Sequence, residues 1–166
     1  MINTELYQIA ESTVEYLKKR KLTVACAESC TGGMVSSFIT SVPGVSEVFE
    51  LGITSYTCRI KNEILGVSRE TLDKFGAVSE QTACEMAENV RIKGSADIGA
   101  SVTGVAGPDS SEGHPPGYVF IAVSGEKNVM VKLLNIEPLS RNYVREKATA
   151  ALLELIKIYA EGLKNG

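Results

Sequence analysis

Between residues 4 and 20, Leu6, Ile9, Ala10, Val14 and Leu17 recur at helical spacing with Glu and Lys between them. That pattern predicts an amphipathic helix. The apolar run at 22–27 predicts a first strand. Residues 31–41 predict a second helix, stopped by Val42-Pro43-Gly44. The mostly apolar, β-branched stretch 48–57 predicts a second strand. A short helix follows over 59–65, ending at Gly66. Ser68 can cap another that runs to Phe75 and closes at Gly76. Ser79-Glu80-Gln81-Thr82 opens a longer helix whose apolar stripe is Ala83, Met86, Ala87 and Val90. Residues 97–103 predict a third strand, and 104–117 a loop with four glycines and three prolines. Residues 118–123 and 129–134 predict two strands joined by the short turn 124–128, an antiparallel hairpin. Ser140 caps a last helix that runs to Lys164, with Val144, Ala148, Leu152, Leu155, Ile156 and Tyr159 facing inward.

Helices between the early strands imply parallel crossovers, and the hairpin adds one strand of opposite direction. The expected architecture is a three-layer α/β/α fold. Its sheet is mixed and five-stranded, mostly parallel with one antiparallel strand. No internal repeat, low-complexity tract or long linker divides the chain, so residues 1–166 read as a single domain. In such sheets ligands bind beyond the carboxyl ends of the strands. Segments 28–33, 56–61 and 103–116 converge there by connectivity alone.

Composition narrows the function. Hydrophobic residues are 44% and charged ones 22%, the mix of an ordinary globular protein. The net charge of −3 disfavours nucleic acid as a partner, since phosphate neutralisation needs a basic surface. No 18-residue apolar stretch predicts a membrane span. Met1-Ile2-Asn3-Thr4-Glu5 lacks the basic-then-apolar form of a signal peptide, which points to a cytoplasmic protein. Cys26, Cys30, Cys58 and Cys84 are scattered over strand, turn and helix, as reduced thiols would be. Neither their spacing nor the lone His114 makes a metal set, and no metal or other cofactor is expected.

The chemistry concentrates in Ala27-Glu28-Ser29-Cys30-Thr31-Gly32-Gly33, a small polar turn between a strand and a helix. Helix N-termini expose N–H groups to anions. Ser29 is a nucleophile only if a base takes its proton. His114 could do so, as could Lys61 if burial keeps it neutral, with Tyr56 beside it. Simpler readings stand alongside: Ser29 as a helix cap, Tyr56 as packing, Lys61 as solvated, Cys30 as a small buried hydrophobe. Gly32 and Gly33 either allow close packing or leave, with Thr31, N–H groups open to an oxyanion or phosphate. Neither a Walker loop nor a G-x-G-x-x-G fingerprint is present. Arg141 and Arg145 lie one turn apart at the start of the last helix, where cations oppose the helix dipole. A ligand phosphate or carboxylate would offset them; so would Glu137 or Glu146.

These residues resemble a known family. The 27–33 run, Gly52-Ile53-Thr54-Ser55-Tyr56 with Lys61, and Leu65-Gly66-Val67 are similar to the CinA C-terminal domain family. So are Gly76-Ala77-Val78-Ser79-Glu80, Thr103-Gly104-Val105-Ala106-Gly107-Pro108, and Arg141-x3-Arg145 with Ala148-Thr149. The similarity covers nearly the whole chain. That family includes the stand-alone nicotinamide mononucleotide deamidases. The resemblance implies metal-free hydrolysis of the carboxamide of that nucleotide to nicotinate mononucleotide and ammonia. It implies Ser29 as nucleophile, Tyr56 and Lys61 as the proton-handling pair, and Thr103 and Arg145 as substrate-binding residues. The N–H groups of Cys30, Thr31, Gly32 and Gly33 would meet the oxyanion. Two segments depart from the family pattern: Thr57-Cys58, and the shorter 109–116 loop, which shapes the pocket. The alternative is a catalytically silent nucleotide-binding or interaction module. A Tyr–Lys reductase is disfavoured by the Tyr–Lys spacing. The long amphipathic helices on a small domain suggest a homodimer.

Overall fold

The computed structural model describes residues 3–163, so Met1, Ile2 and Lys164 lie outside the described residues. Helix α1 (Thr4–Arg20) starts at Asn3, whose side chain accepts from the Leu6 N–H at 3.2 Å. It stops where Lys21 turns left-handed. Strand β1 (Val24–Glu28) follows, then α2 (Met34–Thr40), a 3₁₀ turn (Val45–Glu47) and β2 (Phe49–Thr54). The short α3 (Cys58–Ile60) runs on into a π-helical turn (Lys61–Leu65). Then come α4 (Arg69–Phe75), α5 (Glu80–Lys93), β3 (Ile98–Gly104), the hairpin β4 (Tyr118–Ser124) and β5 (Val129–Asn135), and α6 (Arg141–Gly162).

The strands are ordered β2-β1-β3-β4-β5. Pairs β1–β2 and β1–β3 are parallel, β3–β4 and β4–β5 antiparallel, so β4 alone runs against the rest. The expected mixed sheet is therefore present. Helices cover both faces. Along β1, Val24 and Cys26 join the core beneath α1, α2 and α6. Ala25 and Ala27 alternate to the opposite face, with Leu65, Met86 and Val90. Being covered on both sides explains why the central strands read as unbroken apolar runs. Helix α5 lies so close to β3 that a Cβ on Gly99 would come within 2.0 Å of the Ala87 carbonyl oxygen. Any larger residue there would push helix and sheet apart.

Three expectations need correction. Strand β2 ends at Thr54, three residues early, and it is an edge strand whose residues alternate between half-buried and exposed. Ser55, Tyr56 and Thr57 have left the sheet to enter the site. Helix α2 begins at Met34 rather than at 31, because residues 29–33 form a turn entered through Gly32 and Gly33 at φ +60° and +94°. The 59–65 helix is not a plain α-helix. It widens to π geometry at Lys61, a distortion common at functional sites.

Candidate active site

Strands β1, β2 and β3 end side by side, with Glu28 opposite both Thr54 and Val102. The chain leaves β1 toward β2 on one side while β3 lies on the other, which opens a crevice at the switch point. Glu28 comes first. It is 1% exposed, and its carboxylate takes five donors. Oε2 accepts from the Thr31 hydroxyl at 2.7 Å and from the Gly33 and Val35 N–H groups at 3.0 Å each. Oε1 accepts from the Ser36 N–H at 2.8 Å and its hydroxyl at 2.7 Å. The anion at the start of α2 is thus the protein's own. Ser29 is not a helix cap; Glu28 satisfies the orphan donors instead.

Next comes Ser29, fixed by its N–H donating to the Val102 carbonyl at 3.0 Å. Lys61 Nζ lies 2.8 Å from Ser29 Oγ and donates to the Ser55 carbonyl at 2.7 Å. Lys61 is 1% exposed, and no carboxylate lies within ion-pair distance of it among the described residues. Burial pushes its pKa below the ordinary lysine value of 10.5, partly countered by Cys58, Cys30 and Glu112 nearby. Losing one proton leaves Nζ with donors for Ser55 and a lone pair facing Ser29. Lysine thus suits the base role, against the solvated reading. His114 does not line the crevice; it stacks on Tyr118 at 4.3 Å and 3°.

Ser29 and Lys61 sit at the floor of a crevice of about 300 Å³. Cys30 and Thr103 also line it. Burial pushes the Cys30 thiol up to about 11, so it stays protonated at neutral pH. The Thr103 hydroxyl donates to the Ala77 carbonyl at 2.7 Å and so offers the crevice an acceptor. Tyr56 forms part of the wall and is 56% exposed. Its hydroxyl accepts from Arg141 Nη2 at 2.7 Å, and Arg141 Nη1 donates to the Gly107 carbonyl at 2.6 Å. No hydrogen bond joins Tyr56 to Ser29 or Lys61 among the described residues, so it stands apart from the pair it was expected to complete.

Thr31, Gly32, Gly33 and Arg145 do not line the crevice. The Thr31 side chain is held by Glu28, the Gly32 N–H donates to the Ser29 carbonyl at 3.1 Å, and the Gly33 N–H to Glu28. Among the described residues this leaves the N–H groups of Cys30 and Thr31 without protein acceptors. Arg145 Nη2 donates to the Thr31 carbonyl at 2.8 Å, bracing the turn from behind. Arg141 is the guanidinium that reaches the crevice. Neither Glu137 nor Glu146 accepts from either arginine among the described residues. The i, i+4 spacing had marked both arginines as sharing one helix face, and only the packing of α6 separates them.

Comparison with known proteins agrees with this architecture. The profile of the CinA C-terminal domain matches residues 6–160. A relative in Caldanaerobacter subterraneus is 41% identical over 156 residues, covering 93% of this chain and 38% of its own length. A CinA-like protein of Kosmotoga olearia is 43% identical over 150 residues, covering 90% of this chain and 36% of its own. This chain therefore spans less than two fifths of either relative. The crystal structure of the competence/damage inducible protein CihA from Agrobacterium tumefaciens superposes with a TM-score of 0.89 at 33% identity. That match covers 95% of this chain and 96% of the other.

Proposed function

This chain belongs to the CinA C-terminal domain family, and on that premise we propose that it is an amidohydrolase. Its substrate in this reading is nicotinamide mononucleotide, and its products are nicotinate mononucleotide and ammonia. The observation that carries the reading is the 2.8 Å approach of a buried, charge-unpaired Lys61 to Ser29 Oγ.

Neutral Lys61 takes the Ser29 proton as Oγ attacks the carboxamide carbon. The oxyanion lies against the N–H group of Cys30, the one of the two unpartnered turn residues that lines the crevice. The Lys61 ammonium then hands its proton to the departing nitrogen, which leaves as ammonia, and Ser29 remains acylated. Lys61 next takes a proton from water. The resulting hydroxide attacks the acyl carbon, the acid is released, and Ser29 Oγ recovers the proton from Lys61. Thr103, whose own proton is committed to Ala77, accepts from the carboxamide N–H and orients it. Arg141 suits the substrate phosphate, because guanidinium forks match phosphate oxygens. Tyr56 holds Arg141 in position. Arg145, expected to bind substrate, supports the turn instead.

Incubation with nicotinamide mononucleotide, followed by mass spectrometry and an ammonia assay, tests the proposal. Ser29→Ala is expected to lower turnover on the order of 10⁴-fold or more. Tight calorimetric binding of the nucleotide without product over hours would replace the enzyme reading with the silent module.

A further inference from the structure

The crevice carries a carboxylate that this chemistry leaves unused. Glu112 lies on the wall beside Ala77, Val78 and Thr103. It sits in a miniature hairpin. Ser111 and His114 exchange both backbone hydrogen bonds, at 3.1 and 2.9 Å, around Glu112 and Gly113. Both central residues have positive φ, +52° and +78°, as a type I′ turn requires. Asn, Asp or Gly normally fills the first of them, because a longer side chain gains nothing there locally and its Cβ is crowded. Here the long side chain reaches back into the crevice. Oε2 accepts from the Val78 N–H at 3.0 Å. Gly76 makes room, since a Cβ on it would lie 2.6 Å from that oxygen. The stack of His114 on Tyr118 anchors the turn. Among the described residues, no hydrogen bond reaches Oε1 and no cation lies within ion-pair distance of the carboxylate.

We propose that Glu112 is a specificity-determining residue that selects a cationic ring, an N-alkylated pyridinium carboxamide, by setting its unpaired Oε1 against the ring's charge. The proposal rests on the amide-hydrolysis reading and deepens it. A quaternary ring nitrogen has no proton to donate and no lone pair, so charge is what marks it. Glu112 is exposed, so its unpartnered oxygen supplies that recognition at the mouth of the crevice with the modest strength of a solvent-screened charge. Hydrolysis converts the neutral carboxamide to a carboxylate, which the same Glu112 repels, so this residue favours substrate over product.

The test compares nicotinamide mononucleotide with benzamide riboside 5′-monophosphate, which keeps the carboxamide, ribose and phosphate on a neutral ring. The wild type is expected to show a lower KM for the cationic substrate. Glu112→Gln, which keeps an oxygen for the Val78 N–H, should raise that KM about three- to fivefold, while any change it makes in kcat through Lys61 should be the same for both substrates. It should leave the neutral analogue's KM unmoved. Glu112→Asn, a residue favoured at this turn position, should do the same and guards against a folding defect. Equal KM shifts for both substrates, or none, overturn the proposal. A shift confined to the pH profile of kcat also overturns it, and would assign Glu112 to Lys61. If the wild type hydrolyses neither compound, the hydrolysis reading fails, and calorimetry on the same two ligands decides the charge preference. Equal affinities, or no binding of either, then overturn this inference too.

Discussion

Replacing Glu28 with alanine strips five donors of their acceptor at once. Three are backbone N–H groups at the start of α2, and two are hydroxyls. The hydroxyls can rotate to other partners. The N–H groups cannot, and Val35 is fully buried. Each buried donor left unpaired costs about 1–3 kcal/mol, offset in part by the carboxylate's own desolvation, no longer incurred. The expected loss is about 3–5 kcal/mol, a large fraction of the roughly 5–15 kcal/mol a domain has in total. Glu28→Gln should lose less, about 1–3 kcal/mol, since its amide oxygen can serve Thr31, Gly33 and Val35 while its NH₂ faces the Ser36 N–H. Urea denaturation at pH 7 reads both values, and amide exchange should quicken first at Gly33, Val35 and Ser36. An alanine variant within about 1 kcal/mol of the wild type would refute the accounting.

In the proposed mechanism Lys61 is neutral when it acts, and burial lowers its pKa below 10.5, so kcat/KM should rise with pH through that lowered value. Unfolded Lys61 holds its proton up to 10.5 and folded Lys61 releases it sooner, so stability should also rise with pH between the two. Lys61→Met should abolish both turnover and that slope, as urea titrations at several pH values would show. Arg141→Lys should raise KM for the nucleotide about tenfold and leave the nucleoside without phosphate unaffected, whereas Arg145→Lys should act on kcat through the turn. Parallel steady-state kinetics on both compounds separates the two arginines. Cys30→Ala should retain activity within about threefold, because burial keeps the thiol protonated and the proposed mechanism does not use it. Peptide mapping after brief alkylation at pH 7 should find the exposed Cys58 labelled and Cys30 spared.

What the sequence made legible followed from periodicity. The apolar run at 22–27 and the inward stripe of α6 are short-range patterns, and the sheet follows from the order of such elements. The choice between His114 and Lys61 was less open than it looked. Lys61 and Leu65 stand four apart with Leu65 apolar, so a helix burying one tends to bury the other. Tertiary placement decided the rest. Arg141 and Arg145 share a helix face, and only the angle at which α6 meets the 29–33 turn determines which one enters the crevice. Glu28 shows why the turn was misread. A run of N–H groups at a helix start signals an anion without saying whose it is. Yet a carboxylate ending a central strand cannot stay buried unpaired, and the nearest donors are those of the following helix. Once Glu28 is seated there, ligand anions are excluded from the N-terminus of α2. In the proposed reaction a substrate phosphate is left to Arg141, and a developing oxyanion to the Cys30 N–H, which Glu28 leaves free at the crevice.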